Sequence, residues 1–327
     1  MQAGIVLVVG PNGVGKTNLL EALHVATQGF SPRTHHDAQL IRFGERAART
    51  AVDGRRGAAP VSTQVTLREG RAKEAQLNGA RLPSAESLRR EVSTLVFTPD
   101  RLAVVKGGPA ARRAYLDRSL ARLQPARAGL PQEYLATLAQ RNAALRRVQL
   151  GYSTRDAIEP WTERLAALAA ELVAARRLTL ERLAPGFAEH AAALGLADGR
   201  LGYDADAPTA EALRARLDRD LERGTTGAGP HLADVLVASG DRDLRRFGSQ
   251  GEQRIAVLAL LLAEADLLEP APLLLLDDVL SELDPQRREL LAERLPRAGQ
   301  AVMTATHRSA LPAEPAQVVE VTPGTAR

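Results

Sequence analysis

The strongest indication of the fold comes from the stretch of residues 5–17, Ile5-Val6-Leu7-Val8-Val9-Gly10-Pro11-Asn12-Gly13-Val14-Gly15-Lys16-Thr17. Its apolar start predicts a buried strand, and Leu19, Leu20 and Leu23 share one side of the helix that follows. Between strand and helix, glycines allow backbone N–H groups to turn inward around phosphates, and the helix N-terminus adds positive potential. The stretch therefore matches the P-loop pattern of nucleotide-binding proteins. The predicted nucleotide-binding residues are Gly10, Pro11, Asn12, Gly13, Val14, Gly15, Lys16, Thr17 and Asn18.

Lys16 and Thr17 carry the chemistry of this loop. Lys16 is predicted to reach the β- and γ-phosphates of ATP, and Thr17 to place its hydroxyl on Mg²⁺. A second element supplies carboxylates, because the apolar run Leu273–Leu276 predicts a buried strand that ends at Asp277 and Asp278. We expect Asp277 to bind Mg²⁺ and Asp278 to orient or deprotonate the attacking water. Lys16, Asp277 and Asp278 are therefore the predicted catalytic residues.

The segment Phe247–Arg254, Phe-Gly-Ser-Gln-Gly-Glu-Gln-Arg, precedes a long apolar helix and lies about two dozen residues before the paired aspartates. ABC ATPases carry their signature segment at this position. Ser249 is a predicted helix N-cap, and Gly251 leaves backbone amides open to an anion. Taken alone the segment is a capped helix after a glycine turn, but its spacing favours the signature interpretation. The predicted signature residues are Ser249, Gln250, Gly251 and Glu252.

Two short segments that follow strands are candidates for a conformational switch. Ser281 and Asp284 lie directly behind the paired aspartates, where an ABC ATPase has its D-loop. Thr306 and His307 follow the apolar strand 301–305, where ABC heads place a switch residue near the γ-phosphate. A lone histidine at a strand end is usually structural, so either Thr306 or His307 fills this role.

Composition narrows the class of protein. The 327 residues include no cysteine, which excludes disulfides, zinc–thiolate sites and a thiol nucleophile. The apolar runs fall short of the roughly 20 residues that cross a bilayer, so we expect a soluble protein. A net charge of +4 and a pI of 9.8 are compatible with a DNA partner. Because aromatic residues make up only 3%, contacts to phosphates should dominate any DNA binding.

The strand and helix patterns predict a divided α/β domain. Short strands cover the first hundred residues, whereas the region from about 109 to 223 is helical without a strong strand signal, and strand character returns at Asp234–Val237. We predict an α/β fold with an ABC-type ATP-binding head, lobe I, built of a mixed sheet with helices over residues 1–105 and 234–327. A helical insertion, lobe II, occupies 106–233, and the signature segment 247–254 lies at the lobe junction.

Several longer segments, in the same order and across nearly the whole chain, resemble one family. They are GPNGVGKTNLLEAL, VFTPDRLAVVKGGPAARRAYLDRSL (96–120), YLATLAQRNAAL (134–145), GPH (229–231), FGSQGEQR and LLLLDDVLSELD. Together they resemble the RecF family of bacterial DNA replication and recombinational-repair ATPases. That family has an SMC-like, ABC-type head without a long coiled coil.

The resemblance implies a specific activity. ATP and Mg²⁺ would hold two copies together, because the signature residues of one copy cap the γ-phosphate that the other copy binds. Weak, DNA-stimulated hydrolysis to ADP and phosphate would then loosen this homodimer. The resemblance also implies binding to single-strand gaps, single/double-strand junctions and duplex DNA, and cooperation with RecO and RecR in loading RecA. It implies a cytoplasmic, nucleoid-associated protein with no membrane contact.

Two positions depart from the family pattern, and a third departs from the wider ABC pattern. Met1 lies just before the P-loop, whereas the family has strands and an arginine-bearing segment upstream, so we expect a truncated or misassigned start. Leu232 replaces the basic residue that usually follows the histidine of GPH, which weakens a DNA or nucleotide role there. Asp278 stands where most ABC ATPases have glutamate, although the double aspartate resembles the RecF family's own pattern. It implies slow hydrolysis at most.

The predicted DNA-contacting residues are arginines that recur at helical spacing. They are Arg112, Arg113, Arg118 and Arg122, with Arg146 and Arg147 as a further pair. Arginines on helices are often solvated or ion-paired instead, so spacing alone does not assign them.

Other functions share the P-loop and remain open. An ABC transporter subunit would have a much shorter helical insertion and would not have the SQGEQR form. An ATP-binding assembly factor would bind metal through both aspartates without turnover, and the sequence is compatible with that. A small-molecule P-loop kinase is disfavoured by the large insertion and by the signature segment.

Overall fold

The structure is a computed structural model that describes residues 4–34, 36–295 and 299–327. Most of its strands lie towards the two ends of the chain. The strands are β1 (Ile5–Val9), β2 (Ala47–Arg56), β3 (Ala59–Arg68), β4 (Glu74–Leu77), β5 (Ala80–Arg81), β6 (Thr94–Phe97), β7 (Gly199–Asp204), β8 (Asp234–Ser239), β9 (Arg242–Asp243), β10 (Leu273–Leu276), β11 (Ala301–Ala305), β12 (Gln317–Thr322) and β13 (Thr325–Ala326).

Helices fill the middle of the chain and connect the strands at its ends. They are α1 (Lys16–Gln28), α2 (Leu88–Glu91), α3 (Ala103–Lys106), α4 (Pro109–Leu123), α5 (Leu130–Gln149), α6 (Glu159–Ala193), α7 (Ala210–Ala215), α8 (Leu217–Arg223), α9 (Leu244–Phe247), α10 (Gln250–Asp266) and α11 (Pro285–Arg294). Within the described ranges, no helix is long and apolar enough to cross a membrane.

The chain divides into two compact units. The first comprises the described parts of Met1–Leu102, His190–Leu196 and Gln250–Arg327, and the second comprises Ala103–Glu189 and Ala197–Ser249. This division differs from the predicted lobe bounds at three places. Residues 190–196 belong to the first unit, and residues 103–105 and 234–249 belong to the second.

A six-stranded sheet forms the centre of the first unit. Its order is β13-β12-β1-β11-β10-β6, and all neighbours are parallel except β12 and β13. The residues of β1, β6 and β11 are buried throughout, as expected for parallel strands covered on both faces. Because β1, β10 and β11 are parallel, their carboxyl ends meet at one edge. The P-loop, Asp277 and the end of β11 therefore come together there.

A four-stranded antiparallel sheet, in the order β2-β3-β4-β5, packs against α1 in the same unit. The core of this contact includes Val25 of α1 and Val65 of β3. Asn78 and Gly79 have φ of 49° and 81° and form the predicted two-residue turn between β4 and β5. The sequence analysis did not predict β2, in which Val52 is the only large apolar residue.

The second unit combines helices with a three-stranded antiparallel sheet, β7-β8-β9. Leu165, Leu168 and Leu172 of α6 share one buried face, as their spacing predicts. The expectation that 109–223 contains no strand is wrong, because Gly199–Asp204 forms β7. β7 pairs with β8 along its whole length, so β8 belongs to this small sheet rather than to the large one.

Candidate functional site

The P-loop begins where β1 ends and closes at the first residue of α1. Gly13 and Gly15 have φ of 79° and 110°, a region that L side chains rarely adopt. Gly10 is required for a different reason, since a Cβ there would lie 2.6 Å from the carbonyl oxygen of Val321. The first turn of α1 contains no acidic residue, so the positive end of the helix is not neutralised. The segment is suited to hold an anion.

Lys16 lies across this loop. Its Nζ donates hydrogen bonds to the carbonyl oxygens of Gly10 and Pro11, at 2.7 and 2.9 Å. The side chain is partly buried, whereas Pro11, Asn12 and Gly13 are exposed. The ammonium is thereby held over the mouth of the loop, where it can exchange these neutral acceptors for phosphate oxygens.

Asp277 joins three elements of the site. Its Oδ1 accepts a hydrogen bond from Oγ1 of Thr17 at 3.1 Å and another from Oγ1 of Thr304 at 2.8 Å. The residue is 7% exposed, and its backbone N–H donates to the carbonyl of Phe97 at 2.9 Å. The hydroxyl of Thr17, on α1, thus contacts a carboxylate oxygen of Asp277, directly after β10. The structure brings together the two residues predicted to bind Mg²⁺.

Thr304 is a site residue that the sequence analysis missed. Its Oγ1 donates to Asp277 and accepts from the backbone N–H of Asp278 at 2.8 Å, so one hydroxyl positions both aspartates. The register of the sheet could have identified Thr304. Met303 lies opposite Leu276, so the residues that follow them, Thr304 and Asp277, lie side by side. The predicted switch residues lie further along, with Thr306 half-buried and His307 exposed.

We expect Thr304→Val to destabilise the protein by about 1.5–3 kcal/mol, because it removes a hydrogen bond to a charged carboxylate and leaves the N–H of Asp278 without an acceptor. The matched control is Thr306→Val, whose cost should stay within about 0.5 kcal/mol. Urea unfolding measures both variants, and equal costs would contradict the positioning role of Thr304.

Asp278 has an unusual backbone. Its φ is +52°, a left-handed conformation that only Asn78 and Asp198 share among the non-glycine residues of the described ranges. The side chain is exposed, and the Asp278 carbonyl accepts a hydrogen bond from Oγ of Ser281 at 2.9 Å. Backbone strain of this kind often occurs at functional sites. It turns the second carboxylate towards solvent while the first stays buried.

The D-loop candidate Asp284 has a clear structural role. Its Oδ1 accepts from the backbone N–H of Arg287 at 2.9 Å, which caps α11, and its Oδ2 lies 3.1 Å from Nη1 of Arg287. Any part that Asp284 or Ser281 plays in switching stays a prediction.

The signature candidates lie around the start of α10, which begins at Gln250. Ser249 and Gln250 are exposed, and Gly251 and Glu252 are partly buried. Ser249 thus directly precedes the first residue of a long apolar helix, and its role as N-cap stays a prediction. Its contact with the nucleotide of a second copy stays a prediction.

The predicted DNA set needs one correction. Arg112 is only 4% exposed, and its Nε and Nη2 donate to the two carboxylate oxygens of Asp234 at 2.7 and 2.6 Å. Its Nη1 also donates to the carbonyl of Gly107 at 2.7 Å. A guanidinium held in this way is not available to phosphates, so Arg112 is a structural residue of the second unit.

The other three arginines of the set are less deeply buried than Arg112. Arg113 is half-buried and donates from Nη1 to the carbonyl of Ala233 at 2.7 Å. Burial lowers the pKa of Arg113, and the charge of Arg176 lowers it further. Arg118 and Arg122 are partly buried. A DNA contact by these three residues stays a prediction.

The Gly229-Pro230-His231 segment is anchored inside the second unit. Nε2 of His231 lies 3.1 Å from the carbonyl of Thr226, so this nitrogen carries the proton. Nδ1 then accepts from the hydroxyl of Tyr134 at 2.7 Å. Burial lowers the pKa of His231 and raises the pKa of Tyr134, which favours the neutral form of both. His231 therefore positions a loop, and Leu232 beside it is exposed.

Comparison with known proteins gives the family. A family model described as the RecF/RecN/SMC N-terminal domain matches residues 1–326. The DNA replication and repair protein RecF of Heliobacterium modesticaldum is 36% identical over 329 residues, which cover 95% of this chain and 88% of the relative.

Solved structures agree with this assignment. A structure of the recombination mediator protein RecF–ATPrS in the RecFOR pathway is 26% identical to this chain, with a TM-score of 0.85. The match covers 100% of this chain and 92% of the solved chain. The Smc head domain of Pyrococcus furiosus, solved with an extended coiled coil and the C-terminal domain of ScpA, shares the fold at 19% identity, with a TM-score of 0.60 over 99% and 89% of the two chains. The predicted α/β, ABC-type head fold is confirmed. Matched by the family model over nearly its whole length, the chain belongs to the RecF family of DNA replication and repair proteins.

Proposed function

We propose that this protein is an ATP-dependent DNA-binding protein of recombinational repair and replication-fork maintenance, in which ATP holds two copies together on DNA. The observation that carries the proposal is the contact between Thr17 and Asp277, 3.1 Å apart, beside the Lys16 ammonium at the end of the P-loop. A strand-end carboxylate in contact with a P-loop hydroxyl is the arrangement that a nucleotide triphosphate with its metal requires.

ATP is the proposed nucleotide. The backbone amides of the P-loop and the start of α1 would surround the phosphates, and Lys16 would contact the β- and γ-phosphates. Solved RecF structures named for ATP and for ATPrS support this choice.

The residues beside the P-loop also fit a Mg²⁺ ion bound together with ATP. Magnesium keeps several waters and takes only one or two protein ligands beside the phosphates of a nucleotide, and it prefers oxygen. Thr17 and Asp277 provide two such oxygens. No group of three or more His, Asp or Glu side chains in the described ranges could hold a metal alone, so the ion would depend on the nucleotide. When bound, Mg²⁺ would neutralise charge that develops on the phosphates.

Hydrolysis to ADP and phosphate is proposed to be slow. Asp278 is exposed beside the buried Asp277, and it would orient the attacking water or accept its proton. Its aspartate side chain is shorter than the glutamate usual in ABC ATPases. DNA would stimulate ATP hydrolysis if it favours the dimer in which ATP contacts both copies.

The second copy is proposed to complete the site. Ser249 and the amides after it would cap the γ-phosphate bound by the partner, so that ATP contacts both molecules. Hydrolysis removes the group that both copies share, and the pair would loosen. The exposure of Ser249 and Gln250 at the start of α10 supports this role.

DNA at single-strand gaps, at single/double-strand junctions and in duplex is the proposed polyanionic partner, with RecO- and RecR-type proteins as its companions in recombinase loading. The family and the naming of a RecF structure for the RecFOR pathway support this assignment. A cytoplasmic, nucleoid-associated location follows from that activity.

Binding to a gapped duplex, measured by fluorescence anisotropy with and without Mg·ATP, tests the proposal. We expect tighter binding with ATP, and we expect affinity to fall as salt rises because phosphates release counterions. DNA affinity that ATP leaves unchanged would contradict the nucleotide switch, and affinity independent of salt would contradict a phosphate-contacting mode.

We expect Asp278→Asn to bind ATP normally but to slow hydrolysis by about 100-fold or more, since a positioned general base contributes about 10²–10⁴. The pair of copies should therefore persist longer after ATP is removed. Asp53→Asn, an exposed carboxylate on β2, is the matched control. A phosphate-release assay measures both variants, and unchanged hydrolysis in Asp278→Asn would remove Asp278 from the reaction.

A further inference from the structure

The turn between α5 and α6 exposes two apolar side chains. Leu150 is 65% exposed and Tyr152 is 76% exposed, although most large apolar residues of this unit are buried. We call the segment Arg146–Tyr152 the α5–α6 tip. An exposed aromatic side chain matters here because aromatic residues are only 3% of the sequence.

The tip is held by its own backbone. The N–H of Leu150 donates to the carbonyl of Arg146 at 3.0 Å, and the N–H of Tyr152 donates to the carbonyl of Arg147 at 2.8 Å. Gly151, with φ of 76°, provides the left-handed residue that ends a helix in this way. The backbone of Tyr152 is thereby held at the last turn of α5, which contains Arg146 and Arg147.

Positive charge surrounds these apolar side chains. Arg146 and Arg147 are exposed, and among the described residues no carboxylate lies within ion-pair distance of either. The end of α8 contributes exposed Arg223, since Nε2 of Gln149 donates to the carbonyl of Glu222 at 3.2 Å. Asp218, on the same helix, is already paired with Arg155 at 2.8 Å. Glu222 is exposed there as well, so within the described ranges Arg146, Arg147 and Arg223 stand against one unpaired carboxylate and the patch keeps a net positive charge.

We infer that the α5–α6 tip contacts the unpaired bases of a single-strand gap, with the Tyr152 ring stacked on a base and Arg146 and Arg147 on the adjoining phosphates. This inference rests on the proposed DNA-binding function and adds the element that distinguishes a gap from duplex. Every base presents a π-face, so one aromatic ring suffices without sequence preference. Two exposed apolar side chains in a segment that also contains two arginines form too small an apolar patch for a stable protein interface, which needs a buried hydrophobic core.

The test compares a gapped duplex with a continuous duplex of the same length and sequence, both with full-length protein and Mg·ATP. Tyr152→Ala should weaken binding to the gapped duplex by about fivefold or more and leave duplex binding unchanged, because stacking on an aromatic ring needs an unpaired base. Tyr152→Phe should restore the preference. Replacing Arg146 and Arg147 together by Gln should weaken binding to both DNAs and reduce the salt slope by about 2.

Matched controls separate the tip from general surface effects. Leu135→Ser alters another exposed apolar residue of α5, and Arg71→Gln removes an exposed arginine of the other unit. Neither should change the preference for gaps. If wild type prefers gaps and Tyr152→Ala keeps that preference, the tip inference is wrong while the proposed function stands. If wild type does not bind DNA with ATP, the proposed function itself fails. Loss of binding to a protein partner alone, with DNA binding intact, would also overturn the inference.

Discussion

Lys16→Ala should lower the affinity for Mg·ATP by at least about 100-fold. A hydrogen bond to a charged group contributes about 1.5–3 kcal/mol, and Lys16 is placed to make such bonds to two phosphates. Isothermal titration calorimetry measures the change directly. The rise in melting temperature that ATP gives the wild type should also disappear, because a ligand stabilises a protein only when it binds the folded state.

The folded state of this variant needs a separate check. In the structure the Lys16 ammonium donates to two backbone carbonyls of the P-loop, so alanine removes those bonds as well. They lie at a partly exposed position and should change the free energy of unfolding by only about 1 kcal/mol without nucleotide. Lys73→Ala, which removes an equal charge paired with Asp37, is the matched control. Normal ATP affinity in Lys16→Ala would contradict the site.

Arg141→Ala should destabilise the protein by about 3–5 kcal/mol, since removing one partner of a buried ion pair leaves the other charge uncompensated. Arg141 and Asp220 are 0% and 1% exposed, and Nη1 of Arg141 lies 2.9 Å from Oδ2 of Asp220. The same Nη1 donates to Oγ1 of Thr226 at 2.7 Å. The substitution therefore disrupts the contact between α5 and the loop after α8. Urea unfolding gives the free-energy change.

A second ion pair in the same unit provides the control. Arg155 and Asp218 lie 2.8 Å apart but are 61% and 77% exposed, so Arg155→Ala should cost no more than about 1 kcal/mol. The two pairs have the same residue types and nearly the same distance, but the Arg141 pair is buried and Arg141 also donates to Thr162 and Thr226. Similar costs for the two variants would show that burial does not control the strength of these pairs.

The sequence predicted the nucleotide-facing part of the fold well because its signals are local. Ile5–Val9 and Leu273–Leu276 are continuous apolar runs that read as buried parallel strands, and each is followed at once by chemically distinctive residues. Once both strands belong to one parallel sheet, their carboxyl ends must meet. The contact of Thr17 with Asp277 follows from that topology.

Other features depend on partners distant in sequence and escaped prediction. β7, Gly-Arg-Leu-Gly-Tyr-Asp, has two glycines and weak strand character, and it forms because β8 pairs with it. Arg112 has the same helical spacing as solvent-facing arginines, and only the position of Asp234, 122 residues later, shows that it is buried. Thr304 belongs to no recognised motif, and only the strand register, with Met303 opposite Leu276, places it beside Asp277.

We expect ATP to hold two copies of this protein together. The variant Ser249→Arg should still bind ATP at its own P-loop. Its bulky, charged side chain would occupy the space where the partner's γ-phosphate is expected, so the dimer should not form. The affinity of monomeric Ser249→Arg for ATP should equal that of the control variant Lys73→Ala. If Ser249→Arg then fails to form a dimer, the cause is not a failure to bind ATP.

Sedimentation velocity of the wild-type protein with and without Mg·ATP measures this pairing. We expect a monomer without nucleotide, a dimer with Mg·ATP, and a monomer in both conditions for Lys16→Ala and Ser249→Arg. A wild-type protein with the same sedimentation coefficient in both conditions, whether as monomer or as dimer, would show that ATP does not hold the two copies together.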